Sequence, residues 1–143
     1  MRYRAGWIMK NRILALTHFE PEVTPEDFRA IEADANRALG QATEPFHLLI
    51  DNRMIARTAI ITLDAILKAM PSIHHPQLRT IVIVLPEAIK EQAPGIDEQR
   101  IGLIRLKYVD GLESALAYLQ GEDDSIDGRA ISYSFFSRTG MQE

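Results

Sequence analysis

Ile81-Val82-Ile83-Val84-Leu85-Pro86 is the stretch on which the fold turns. Four β-branched residues in a row followed by leucine leave no polar position, so neither face of this strand can be wet. A strand apolar on both sides belongs inside a sheet that is covered above and below, and Pro86 marks its end. Upstream, Phe46-His47-Leu48-Leu49-Ile50-Asp51 reads the same way, as a short buried strand ending at an aspartate. Between the two, Leu63, Ile66, Leu67 and Met70 share a helical face, with Pro71 as the stop. That helix can begin at Thr58 or at Thr62. Downstream, Pro86 to Gly102 carries a weaker helical pattern broken at Pro94-Gly95. Leu103 to Val109 is a further strand, and Asp110 is the expected cap of a last helix with the stripe Leu112, Ala115, Leu116 and Leu119.

Toward the N-terminus, Thr24-Pro25-Glu26-Asp27 combines a capping threonine, a proline at the first helical position and two acids at the positive end of the helix dipole. Phe28, Ile31, Ala35 and Leu39 continue as a core-facing stripe, and Gly40 is its stop. Tyr3 to Met9 alternates, with Tyr3, Ala5, Trp7 and Met9 on one parity and Arg2 and Arg4 on a wet face. Ile13-Leu14-Ala15-Leu16, by contrast, is apolar on both faces. The short link Lys10-Asn11-Arg12 makes these two an antiparallel hairpin. The order β-β-α-β-α-β-α-β-α predicts an α/β domain with a mixed, mostly parallel sheet, an N-terminal antiparallel hairpin and helices packed on the sheet. Residues 1–120 form that domain. Residues 121–143 are a C-terminal tail in which Ile131-Ser132-Tyr133-Ser134-Phe135-Phe136 alternates like a strand, added to the same sheet or exchanged with a second subunit.

A chain of 143 residues can bury a sizeable core without disulfides or metal staples. Cysteine is absent, which removes disulfides, thiolate catalysis and cysteine-held metals together and fits a reducing, cytoplasmic setting. The net charge of −4 argues against a nucleic-acid partner, which selects for a basic surplus. The opening residues lack the apolar core of a signal peptide, and no window approaches a membrane span, so a soluble protein with no membrane partner is expected.

The fold pattern resembles the STAS type, the domain of anti-sigma-factor antagonists and sulfate-transporter tails, and more closely the SpoIIAA-like bacterial proteins. The residues that carry the resemblance are Trp7 with Arg12-Ile13-Leu14-Ala15-Leu16, Thr24-Pro25-Glu26-Asp27-Phe28, Pro45-Phe46-His47-Leu48-Leu49-Ile50-Asp51, and the strand-to-helix run Val109 to Leu119. It covers about residues 2–120. It implies a STAS-like sheet and a regulatory or scaffolding module that works through protein–protein contacts as a homodimer. In the best-understood branch, phosphorylation of a serine after the Asp-ended strand breaks the partner complex by adding charge. Asp51 matches that aspartate, but the residues after it contain no serine. Thr58 is the nearest hydroxyl and Thr62 the next.

No catalytic, cofactor or metal motif emerges. Gly-x-Ser-x-Gly and Gly-x-Gly do not occur, and the six serines stand in ordinary contexts. His74-His75 reads as part of a polar turn and His47 as a satisfied core histidine. Glu26-Asp27 is explained by the helix dipole and Glu122-Asp123-Asp124 by a solvated turn. No enzyme is expected. Two interaction surfaces are. The first is the loop after the Asp51 strand, where Asp51, Arg53, Met54, Ile55, Arg57 and Thr58 mix charge with apolar groups at the strand ends where parallel sheets bind ligands. The competing expectation is that Met54 and Ile55 tuck under the sheet. The second is the tail, with Ile131, Tyr133, Phe135 and Phe136. Beside the protein-binding module stands a carrier of a small apolar or anionic ligand, with its cleft near residues 51–58. A cavity there favours the carrier, and a flat apolar patch favours the module.

Overall fold

The structure is a computed structural model that describes residues 1–57 and 60–138. Six strands form one mixed sheet in the order β1-β2-β3-β4-β6-β5. They are β1 (Tyr3–Met9), β2 (Ile13–His18), β3 (Phe46–Asp51), β4 (Leu78–Val84), β5 (Gln99–Ile101) and β6 (Ile104–Val109). The helices are α1 (Pro25–Leu39), α2 (Leu63–Ala69) and α3 (Leu112–Glu122). The four central strands run parallel, and β1 and β5 flank them antiparallel. The mixed α/β sheet read from the sequence is thus present, with its N-terminal hairpin.

Alternation along the strands divides the core in two. Leu14, Leu48, Ile81, Ile83, Leu106 and Tyr108 face α1 and α2. Ile13, Ala15, Leu49, Val82, Val84 and Val109 face α3, where Leu112, Ala115, Leu116 and Leu119 cover them. The central strands are therefore apolar on both sides, as the run at Ile81 required.

Local chemistry accounts for the element ends. Thr24 accepts from the Asp27 backbone N–H at 3.0 Å while the Asp27 carboxylate accepts from the Thr24 N–H at 3.0 Å, a reciprocal cap on α1. Helix α2 starts after Thr62, whose hydroxyl accepts from Ala65 N–H, which decides between the two starts the sequence left open. In the first hairpin Asn11 takes φ 59°, a left-handed conformation that asparagine tolerates, and Arg12 N–H donates to Met9 C=O at 2.9 Å.

Four expectations need correction. The region from Pro86 to Gly102 holds 3₁₀ turns over Glu87–Gly95, broken at Ile89, and then strand β5. Only Ala93 of those turns is buried, so there was no apolar stripe to drive an α-helix, and Pro94 removes a backbone donor. Asp110 does not cap α3: the N-cap is Gly111, and the Asp110 carboxylate accepts from the Ser114 hydroxyl instead. Among the described residues, the tail forms no strand. It folds into 3₁₀ turns at Gly128–Ala130 and Tyr133–Phe136, the second packing on β1. Lastly, the face of β1 that carries Arg4 is not wet. The Arg4 guanidinium lies under the tail and donates to the carbonyls of Ser134, Phe135 and Ser137 at 3.1, 2.7 and 3.1 Å.

Candidate binding cleft

Parallel strands deliver their C-terminal ends to one edge, and the loops there frame an open cleft of about 890 Å³ on the α1/α2 side of the sheet. Its floor is Leu16, Ile50, Ile83 and Tyr108, with Leu85 just beyond β4. Phe28 and Ile31 of α1 form one wall, Ile66 and Met70 at α2 another. Pro21, Glu22 and Val23 before α1 and Asn52, Ile55, Ala56, Arg57 and Ile61 before α2 make the rim. Three hydrogen bonds fix the rim. Ala56 N–H donates to Pro21 C=O at 2.9 Å, linking the two loops. The Tyr108 hydroxyl donates to Ile61 C=O at 2.8 Å and accepts from Ile61 N–H at 3.1 Å. Burial raises the Tyr108 phenol above its ordinary value, so it stays protonated and keeps that double role.

Polar groups are few in this cleft. His18, at the end of β2, shares the parity of Leu14 and Leu16 and so turns toward the α1/α2 side. It is 8% exposed, and its imidazole has no hydrogen-bond partner among the described residues. Desolvation lowers its pKa, opposed by the charges of Asp51 and Asp27. The ring is therefore neutral near pH 7.

The loop chosen from sequence divides between the two sides of the sheet. Ile55 and Arg57 line the cleft; Ile55 is buried, in line with the tucked alternative, whereas Met54 is 55% exposed. Asp51 turns to the opposite face and is 2% exposed. Its carboxylate accepts from the Thr17 hydroxyl at 2.7 Å and from Arg53 Nε and Nη2, each at 3.0 Å. The Arg53 backbone N–H adds a bond at 3.1 Å. Asp51 and Arg53 thus fold the loop back on itself and leave no free charge for a ligand. Thr58 lies outside the described residues. Sequence reading missed His18, Val23, Phe28 and Tyr108, which line the cleft. The available signal was a histidine ending an apolar inner strand, where a parallel sheet presents side chains to its ligand edge.

On the α3 side, His47 is 3% exposed and its Nε2 lies 2.9 Å from the Asp123 carboxylate. Ser125 donates to the other Asp123 oxygen at 2.6 Å. Serine and histidine both bond the aspartate here and not each other, so the histidine has no route to the serine proton and the three do not form a nucleophilic triad. His75 accepts from Gln77 N–H through Nδ1 and packs edge-on against Phe46, consistent with the polar turn expected at His74-His75. No group of three His, Cys, Asp or Glu side chains able to hold a metal occurs among the described residues. No helix among them is long and apolar enough to cross a membrane.

In the tail, Ile131 and Phe136 are buried against α3 and the sheet, Phe135 rests on Gly6 of β1, and Tyr133 is exposed. No family model, no curated protein and no solved structure matches this chain.

Proposed function

We propose that this protein is a non-catalytic binding module that holds a small, largely apolar molecule in the cleft between α1, α2 and the sheet. The observation that carries this reading is the exposed apolar rim around an apolar floor. Val23, Phe28 and Ile61 are open to solvent at the mouth, each an unfavourable exposure that an apolar ligand would relieve. The volume suits a small molecule, since such sites span roughly 300–1,000 Å³. The test uses Nile red, a neutral apolar dye. One dye per chain should bind with enhanced emission, and Ala56→Trp, which places a large ring at the exposed rim, should weaken binding by about tenfold or more. An unresponsive wild-type protein would refute the reading.

A second reading follows from Met54, which is exposed beside the cleft without lining it. In a STAS-like, SpoIIAA-like regulatory module of the bacterial cytoplasm, the loop after β3 would meet a protein partner or a second copy. The antiparallel β1–β2 hairpin leading into parallel strands supports that kinship. Light scattering tests the homodimer directly. A particle of twice 16.2 kDa that falls to a monomer in Met54→Asp would favour it, and a wild-type monomer would remove it.

A further inference from the structure

We infer that the cleft takes a monoanionic amphiphile, its hydrocarbon chain on the apolar floor and its carboxylate recognised by Arg57 and His18. This rests on the cleft being a ligand site, as proposed above, and adds the chemistry of the ligand's head.

Beside Glu22, Asn52 and Tyr108, the lining carries two nitrogen-bearing side chains, His18 and Arg57, that have no protein hydrogen-bond partner among the described residues. The His18 imidazole is nine-tenths buried, lines the cleft and has no partner among the described residues. A neutral imidazole offers one N–H donor and an imidazolium offers two, so an oxyanion satisfies it in either form. Arg57 is the second. It is exposed on the rim and has no carboxylate partner among the described residues, whereas Arg53, Arg2 and Arg138 are each held by an acid. A planar guanidinium is the group best shaped to grip a carboxylate.

Glu22 sets the charge of the head. It lines the same rim, so a dianion would face repulsion, while a single negative charge is balanced by Arg57. The remaining titratable groups around His18 are Asp51 on β3, Asp27 on α1 with its partner Arg2, and Tyr108 on β6. An anion placed against the imidazole stabilises its charged form. Binding therefore takes up a proton, and affinity for the anion rises as pH falls toward the titration range of His18.

The experiment compares octanoate with 1-octanol, which share a chain length and differ in charge, by chemical-shift titration of the ¹⁵N-labelled full chain. Octanoate should bind about tenfold more tightly than 1-octanol at neutral pH, with shifts at cleft residues. Arg57→Gln, a change at an exposed side chain that leaves folding intact, should bring the two within about threefold. The advantage of octanoate should grow between about pH 8 and about pH 6 in the wild type and stay flat in His18→Gln. Equal affinities for acid and alcohol would overturn the anionic head and leave the apolar cleft standing. An advantage that survives Arg57→Gln unchanged would also overturn it. Absence of binding by either compound would sink both this inference and the reading beneath it.

Discussion

Asp51 and the two buried histidines show how far one side chain's meaning depends on the face it takes. The sequence marked Asp51 as the head of a candidate interaction loop, because it ends a buried strand. Strand alternation turns it away from the cleft, and its carboxylate spends its acceptor capacity on Thr17 and Arg53. Asp51→Ala should therefore cost stability, about 2–3 kcal/mol by urea unfolding. That is below the full loss for a buried pair, since Arg53 is partly solvated. Dye binding in the cleft should persist, and a variant that stays stable but loses the dye would contradict this assignment. His18 and His47 make a prediction about pH. Desolvation comes first among the causes for both and lowers both pKa values below 6.5, against nearby carboxylates that oppose it. The unfolded chain then binds protons near pH 6.5 that the folded chain does not, so stability is full above that pH and is lost as pH falls through it. The slope should be at most about 1.4 kcal/mol per pH unit for each histidine. Asp123 lies lower on the scale. Desolvation pushes its carboxyl up, but the bonds from Ser125 and His47 outweigh that and hold it below the ordinary carboxylate value, so its contribution disappears only in stronger acid. Urea midpoints that do not change between about pH 7.5 and pH 5.5 would rule out the two-histidine account.

Elements with their own start and stop chemistry were legible from local sequence alone. Helix α1 carries cap, proline, acids and stripe within its own residues, and it spans Pro25–Leu39 as read. Thr24→Ala should remove the reciprocal cap and cost about 1 kcal/mol, visible as a lower thermal midpoint. Strand β5 was not legible. It has three residues, two of them exposed, and exists because β6 offers an edge and because Gly102-Leu103 closes a two-residue turn. Gly102 has φ +58° and Leu103 a negative φ, the pattern of a type II′ hairpin. Gly102→Ala should therefore cost about 1 kcal/mol through strain alone, as no atom crowds a Cβ built there. If that variant were as stable as the wild type, the turn would not hold the hairpin. Gly102 was visible in the sequence as an isolated glycine. Nothing local marked it as a turn, because the strand before it, β5, is short and largely polar.

At the scale of the whole molecule, the tail behaves as part of the domain. Residues 126–136 close the α3 side of the sheet with Ile126, Ile131 and Phe136. Arg4 anchors them through three carbonyls and lies over the rings of Phe19 and Phe135 at 5.1 and 5.7 Å. The sequence offered its aromatic residues as an interaction surface; Phe136 is buried within its own chain and Tyr133 is exposed, and the alternation of Ile131 to Phe136 gave the wrong local form. Two short 3₁₀ turns bury Ile131 and Phe136 while leaving Ser132 and Tyr133 outside, so the same spacing serves a different backbone. Phe136→Ala should cost about 3 kcal/mol, and truncation after Gly121 should lower the unfolding temperature more than that single change. A truncated protein that melts with the wild type would show that the domain closes without its tail.

What the sequence determined by itself was the set of elements whose signals are local: the inner strands, from runs apolar on both faces; α1, from its cap and stripe; the hairpin, from two strands with a three-residue link. Those signals depend on neighbours within a few residues, and they specified a covered mixed sheet. Only the tertiary structure decided which residues meet. His18, Phe28, Ile83, Arg57 and Tyr108 come from five separate segments, and no spacing along the chain relates them. The parallel crossovers bring their strand ends to one edge, and the pleat sends His18 into the cleft and Asp51 out of it. A one-residue change of parity exchanges the two faces, which is why the candidate loop could be found in the sequence and its side of the sheet could not.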